Sequence, residues 1–444
     1  MNRPPDTTGL PLSGIRVLDL TIVWAGPFAS QLLADMGAEV IRVESLQRPD
    51  VNTRSQPRMP QAMLDEGPWG SNYPDRKAGD RPWERSSAIN LHSRNKLSIT
   101  LDWERPRGME IFKRLFAKSD VLLDNNAAAT LEKLGITYEA LSPLNPGIVW
   151  VSLPAYGMSG PYKYHKGYGA NVEAIVGHTW LRGYTDSDPT TTYPVYHADA
   201  AAASSAAFAA LAALWWRRRS GRGQHIDLSQ AENMVHHLSQ AVMDYSLNGR
   251  SQSTLGNGHP WMAPHDIFPN QGVDRWVAIA VANDAEFARL CAAIDRGDLV
   301  DDERFATIMG RRANASALRE EIAGWTRQRS PIEAMNVLQH AGVRAGALHT
   351  TREVLDDPQL TARGFFETVD IPDVGSYPFC GPAVKMQGTP LHIRRHAPKV
   401  GQDNDYLYRE VLGVSDAEYD ELVAEEHIGD TYAELLHQPQ TVKS

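Results

Sequence analysis

Cysteine is scarce. The 444 residues hold two, Cys291 and Cys380, which fit neither a disulfide framework nor a zinc cluster and point to a reducing cytoplasm with no structural metal. HExxH is absent, and His197, His236 and His237 show no metal-ligand spacing with nearby Cys or carboxylates. No metal is expected. Long runs of like charge are absent too. Lys+Arg 44 against Asp+Glu 54 gives −10, which disfavours a nucleic-acid partner but leaves a small anionic ligand open through local cations. No stretch approaches 18 uninterrupted apolar residues, and residues 1–12, with three prolines and a single Arg, hold no apolar signal core. The chain reads as soluble and cytoplasmic, with no membrane partner. There is no GxGxxG fingerprint, no fixed-period repeat and no low-complexity tract.

What is present exceeds one ordinary domain, so two domains are the starting expectation. An apolar run over 15–20 predicts a buried strand, and Phe28, Leu32, Leu33 and Met36 follow at helical spacing, with Pro27 as the first helical residue and Gly37 at the end. A second strand follows over 39–44. This βαβ unit implies a parallel, Rossmann-like α/β sheet with a ligand near the strand ends. Residues 46–88 are too long and too polar for an ordinary connection and read as an ordered loop near the site or at an interface. Strands over 99–101, 121–124 and 148–153 and helical stretches over 107–118 and 130–134 continue the alternation. An Ala-rich helix over 198–217 closes at Ser220-Gly221-Arg222-Gly223. From about residue 240 the texture changes, with a strand over 276–281 and modest helices to about 340, and a smaller α+β domain is expected. Toward the C-terminus, 346–349, 366–371 and 383–386 read as strands, and 404–412 and 416–425 as surface helices.

Asp199 is the first candidate for chemistry. It stands at the start of an otherwise uncharged helix, where a carboxylate is more often a plain N-cap than a reactive group stabilised by the helix N-terminus. The turn Val23-Trp24-Ala25-Gly26-Pro27-Phe28 could turn its N–H groups toward a polar ligand, or be a plain strand-to-helix connection. Gly256-Asn257-Gly258-His259-Pro260 is a flexible loop able to cover a site or simply to turn. Arg217, Arg218, Arg219 and Arg222 form a basic helix end, solvated or in contact with phosphate.

Taken in order, Leu12-Ser13-Gly14-Ile15-Arg16-Val17-Leu18-Asp19-Leu20, Ala25-Gly26-Pro27, Leu33-Ala34-Asp35-Met36-Gly37-Ala38-Glu39-Val40-Ile41-Arg42-Val43-Glu44, Asn95-Lys96-Leu97-Ser98-Ile99, Asp120-Val121, Ser220-Gly221-Arg222-Gly223-Gln224, Gly342-Val343 and Asp357-Pro358-Gln359-Leu360 resemble the class III CoA-transferase family. That family includes formyl-CoA transferase, carnitine CoA-transferase and α-methylacyl-CoA racemase. The resemblance implies a large Rossmann-like domain made from both chain ends (1–230 and 346–444), a small middle domain with flanking linkers (231–345), and two such rings interlocked as a homodimer, with a paralogue heteromer as the variant. It implies Asp199 as the catalytic nucleophile and acyl-CoA and a carboxylic acid as substrates, with no permanently bound cofactor. By position, Trp24, Tyr168, Gly256, Gly258 and His259 would bind substrate, and Arg42, Leu101, Asn125, Lys133 and Lys166 would contact CoA.

The departures are informative. Trp24 stands where formyl-CoA transferase has a glutamine, replacing an amide with a flat apolar wall; with Trp261, Met262 and Tyr168 it suggests an acceptor larger and less polar than oxalate. Ser45 replaces a CoA-contacting Arg, and the Gly-rich lid is reduced to Gly256 and Gly258. Racemases of the family carry a His-Asp pair where this chain has Tyr168-Gly169, which disfavours the alternative of an isomerase acting at the α-carbon. A CoA-binding partner subunit without its own activity is the remaining alternative, and the retained Asp199 weighs against it.

Overall fold

The computed structural model describes residues 4–436. The chain divides into two compact units: Met1–Val176, Pro194–Val242 and Gly364–Ser444 form the larger, and Gly177–Tyr193 with Met243–Arg363 the smaller. The divisions at 242/243 and 363/364 fall later than the expected 230/231 and 345/346, and 177–193 join the smaller unit.

The larger unit is built on six parallel strands: β1 (Arg16–Asp19), β2 (Glu39–Glu44), β3 (Lys96–Thr100), β4 (Val121–Asp124), β5 (Val149–Ser152) and β6 (Gln224–Asp227). Their order is β3-β2-β1-β4-β5-β6, so the winding reverses between β1 and β4, where a doubly wound sheet opens a crevice for ligands. Successive residues of a strand face opposite sides. Here both sides are apolar. Leu18, Ile41, Leu122 and Trp150 join Ile111, Phe112, Leu115 and Phe116 in one core, whereas Val17, Val40, Val121, Leu123, Val149 and Val151 join Leu33 and a row of alanines in the other. Such runs are what a sheet covered on both faces requires.

Those alanines belong to the helix His197–Ser220, whose Ala203, Ala206, Ala207 and Ala210 are buried beside Ala25, Ala29 and Leu33 of the helix Ala25–Asp35. Short side chains let the two helices approach closely. Gly221 ends the longer one at φ 70°, the left-handed geometry that favours glycine. Among the described residues it is the one helix long and apolar enough to cross a membrane, yet half of that stretch is buried in this core.

Three expectations need correction. The stretch 404–412 is not a surface helix: Tyr406–Val411 is wound as a π-helix, and Leu407 and Tyr408 are fully buried in the first core. It is anchored because β3 is an edge strand whose free N–H groups need partners. Asp403 accepts from Ser98 N–H and Asn404 from Thr100 N–H, each at 2.9 Å. The strand over 383–386 is absent; Phe366–Ile371 instead pairs antiparallel with Gly375–Cys380. Pro378 obscures that strand in the sequence, but a two-stranded ribbon tolerates the missing donor. Pro27 is the third residue of its helix, not the first.

The 46–88 segment is ordered as short helical pieces, among them Gln61–Glu66, Pro82–Arg85 and Ser87–His92. Buried Arg54 ties it down, pairing with Glu84 at 2.8 Å and donating to Glu44 at 2.7 Å. The smaller unit holds an antiparallel sheet of β7 (His265–Pro269), β8 (Trp276–Ala280) and β9 (Arg344–Ala347) under helices that include Asp284–Ala293, Ala315–Thr326 and Pro331–His340.

Candidate active site

The turn after β1 is held by side chains from three other segments. Asp19 Oδ1 accepts from Thr21 N–H at 3.0 Å, Asn125 Oδ1 from Ile22 N–H at 2.9 Å, and Thr53 Oγ1 from Val23 N–H at 2.8 Å. Val23 is thereby fixed at φ 68°. These three N–H groups are therefore satisfied inside the protein rather than offered to a ligand. Beneath the turn, Lys96 Nζ reaches Asp19 Oδ2 at 3.0 Å, Ser30 Oγ at 2.8 Å and the carbonyl of Pro27 at 2.8 Å. Burial brings Lys96 down to about 8. Burial alone would raise Asp19, but Lys96 and then Arg42 outweigh it and hold the carboxyl below its ordinary value.

Asp199 lies in the first turn of the His197–Ser220 helix and does not cap it. The residue before that helix, Tyr196, is left-handed at φ 54° and ψ 31°, and its side chain makes no capping bond. Asp199 is only 7% exposed. Its Oδ2 lies against Gly169, so closely that a Cβ there would overlap it. Burial first, and the charge of Glu173 second, push its carboxyl up to about 6, against smaller opposing effects of its own backbone N–H and that of Ala25. The Ala25-Gly26-Pro27 turn and the Asp199 helix therefore meet at this carboxylate. At pH 7 a group of this kind is still mostly ionised, and it is more basic than an ordinary Asp.

Trp24 supplies the apolar wall. Its ring stacks on His92 with centroids 5.6 Å apart and is tilted against Tyr196 at 5.8 Å. Burial, with Lys96 and Arg94 adding to it, lowers His92 to about 3, so the imidazole is neutral. Trp24 Nε1 and His92 Nδ1 are both buried without a hydrogen-bond partner.

The residues expected to contact CoA are placed unevenly. Asn125 accepts from Ile22 N–H and donates to its carbonyl at 2.7 Å, so it sits at the β1/β4 switch point. Lys133, the last residue of the helix Ala128–Lys133, and Lys166 are exposed. Arg42 is buried, with Nη2 on Asp50 at 2.6 Å and Nε on Glu44 at 3.1 Å. Leu101 is a core residue whose N–H donates to the Glu44 carbonyl at 2.7 Å. Tyr168 is exposed just before the helix Gly169–Ile175, its N–H donating to Asn171 Oδ1 at 3.0 Å. In the basic helix end, Arg217 pairs with Asp120 at 2.8 Å and Arg219 lies over Trp215 at 3.8 Å.

Gly256, Gly258 and His259 belong to the smaller unit. Gly256 has φ 58°, and the His259 ring lies 4.9 Å from Trp261 and 5.0 Å from His265. His259, Met262, His265, Arg312 and Arg319 line a cavity of about 210 Å³ there.

Sequence reasoning did not single out Glu173, Tyr196 or His92. Glu173 stands in no motif, and the stacking of His92 on Trp24 joins residues far apart in the chain. Lys96 did lie inside a quoted motif, but its role needed the fold.

This is a doubly wound α/β protein with a buried, basic carboxylate beside the first strand-to-helix turn. Residues 12–404 match the model of CoA-transferase family III, and the chain belongs to that family. It is an enzyme of the CoA-transferase type, moving CoA from an acyl-CoA to a carboxylic acid. It is 34% identical over 412 residues to the succinate–glutarate CoA-transferase of Agrobacterium fabrum, covering 92% of this chain and 96% of that protein. It is 33% identical over 415 residues to the succinyl-CoA–D-citramalate CoA-transferase of Chloroflexus aurantiacus, covering 93% and 96%. Among solved structures it resembles a CaiB/BaiF family protein from Brucella suis, with TM-score 0.78, 31% identity and coverage of 90% of this chain and 99% of that one.

Proposed function

We propose that Asp199 is the nucleophile of the transfer. An Asp199 carboxylate oxygen attacks the thioester carbonyl of the donor, and CoA leaves as thiolate, giving a mixed anhydride. The thiolate then attacks the Asp199 carbonyl, releasing the donor acid and forming an aspartyl-CoA thioester. The acceptor carboxylate attacks that thioester and expels CoA thiolate. Attack of the thiolate on the acceptor carbonyl of the new anhydride releases Asp199 and the product acyl-CoA. The observation that carries this reading is the Asp199 carboxyl itself, buried, raised to about 6 and set against Gly169 and the Ala25 N–H.

Lys133 and Lys166 are the exposed cations assigned to the CoA phosphates, with Asn125 at the switch point. Leu101 has only its backbone to offer, and Arg42 acts from behind by holding Asp50 and Glu44. Trp24 and Tyr168, with Gly256, Gly258 and His259, are assigned to the acyl and acceptor groups. The donor class is succinyl-CoA, the donor named for the citramalate relative. The neutral Trp24–His92 stack favours an acceptor with an apolar body. An isomerase would need an acid–base pair at 168 and 169, which Tyr168 and Gly169 do not supply.

The assembly proposed is the interlocked dimer, with the larger unit binding CoA. Phe208, Trp215 and Trp216 of the His197–Ser220 helix are exposed in the single chain, Phe208 by 73%, an apolar face that a second copy would cover.

The test is exchange between succinyl-CoA and a panel of carboxylates. Asp199→Ala should abolish exchange with the fold intact, and hydroxylamine added with acyl-CoA should convert the activated Asp199 of the parent protein to its hydroxamate, with release of CoA and a mass shift on the Asp199 peptide. Parent-rate exchange by the Ala variant removes the assignment.

A further inference from the structure

The helix that carries Asp199 begins without a side-chain cap of its own, since Tyr196 makes no capping bond. A helix start leaves N–H groups in need of acceptors. One acceptor comes from another helix: Glu173 Oε1 accepts from His197 N–H at 2.6 Å. Glu173 is fully buried, and it lies one turn after Gly169 in the helix Gly169–Ile175. Residues four apart share a helix face. The same face therefore holds the reactive turn at two points, with Gly169 admitting the Asp199 carboxylate and Glu173 holding the backbone two residues earlier. Ala198, between these points, is packed with Val172, Ala155 and Met234.

We infer that Glu173 is a positioning residue for the transfer, a cap supplied from outside the helix that fixes the first turn and with it the line of attack of the Asp199 carboxylate. The inference rests on Asp199 being the nucleophile. A carboxylate is a strong acceptor for a helix N-terminal N–H, and the amide oxygen of glutamine keeps the acceptor while losing the charge. Displacement of a reacting group by about 1 Å costs on the order of a hundredfold in rate.

Glu173→Ala and Glu173→Gln are compared with the parent in steady-state exchange, with thermal melts for each. Glu173→Ala should lower kcat about a hundredfold, with the KM for acyl-CoA within about twofold of the parent. Glu173→Gln should recover at least about tenfold of that loss, because the acceptor to His197 is restored. If Glu173→Ala folds poorly, Glu173→Asp, one methylene short of His197, should show the same kcat loss at unchanged KM. Parent-like kcat in Glu173→Ala overturns the inference, as does equal impairment of the Ala and Gln variants. Asp199→Asn is assayed alongside. Activity there removes the nucleophile reading, whereas an inactive Asp199→Asn beside a fully active Glu173→Ala removes only the role of Glu173.

Discussion

The carboxylate of Asp199 occupies the space that a side chain on residue 169 would need. The nucleophile candidate and Gly169 come from different helices and are fitted to each other without room for one methyl group. Gly169→Ala should therefore turn the Asp199 carboxylate out of place while leaving the sheet intact. Exchange is expected to fall about a hundredfold, the cost of misplacing a reacting group, with an unchanged circular dichroism spectrum. Parent-like exchange in Gly169→Ala would show that the carboxylate works from another position.

The raised Asp199 carboxyl fixes the sign of two pH effects. Because nucleophilic attack needs the ionised form, kcat/KM should rise with pH through about 6 and level off above it. Removing the neighbouring charge by Glu173→Gln should move that limb to lower pH, since Glu173 is second only to burial in raising it.

The same group affects stability. A carboxyl raised from 3.8 to about 6 by folding stabilises the fold below about pH 4, and that contribution is lost as pH rises through about 6. Holding Asp199 ionised at pH 7 then costs about 3 kcal/mol. Asp199→Asn should consequently be inactive yet more stable at pH 7, with a higher urea midpoint than the parent and little difference at pH 4.

Lys96 and Asp19 form a fully buried ion pair at 3.0 Å under the Ala25-Gly26-Pro27 turn. Removing one partner of such a pair strands the other. Lys96→Met should destabilise the protein by about 3 to 5 kcal/mol in urea unfolding. The double variant Lys96→Met/Asp19→Leu should recover part of that loss.

Assembly is tested by dilution. If two copies interlock, the interface must exceed the roughly 2,000 Å² at which obligate pairs begin, and Phe208, Trp215 and Trp216 should be covered. Sedimentation at nanomolar concentration should show no 49.1 kDa species. A folded, active monomer of that mass overturns the proposed assembly, and activity that appears only on adding a paralogue would favour the heteromer.

Much of the fold was legible in the chain. The strands over 39–44 and 121–124 were read with their observed bounds, because short clusters of apolar, β-branched residues alternating with helical stretches mark a parallel sheet covered on both faces. The hairpin partner Gly375–Cys380 was not, since Pro378 reads as a breaker until the ribbon is seen. Nor was the buried π-helix of Tyr406–Val411, whose burial depends on the edge of β3, some three hundred residues earlier.

By itself the sequence determined the parallel sheet and the family and singled out Asp199 as the candidate nucleophile, because local periodicity and ordered motifs are carried by neighbouring residues. Only the tertiary structure decided what environment that carboxylate has. Its basicity depends on burial and on the charge of Glu173, against the opposing backbone N–H of Ala25, and the wall beside the turn depends on His92 and Tyr196 meeting Trp24. Burial and charge act through distance in space, and the distances between those segments are set by how the helices pack on the sheet, which no local pattern encodes.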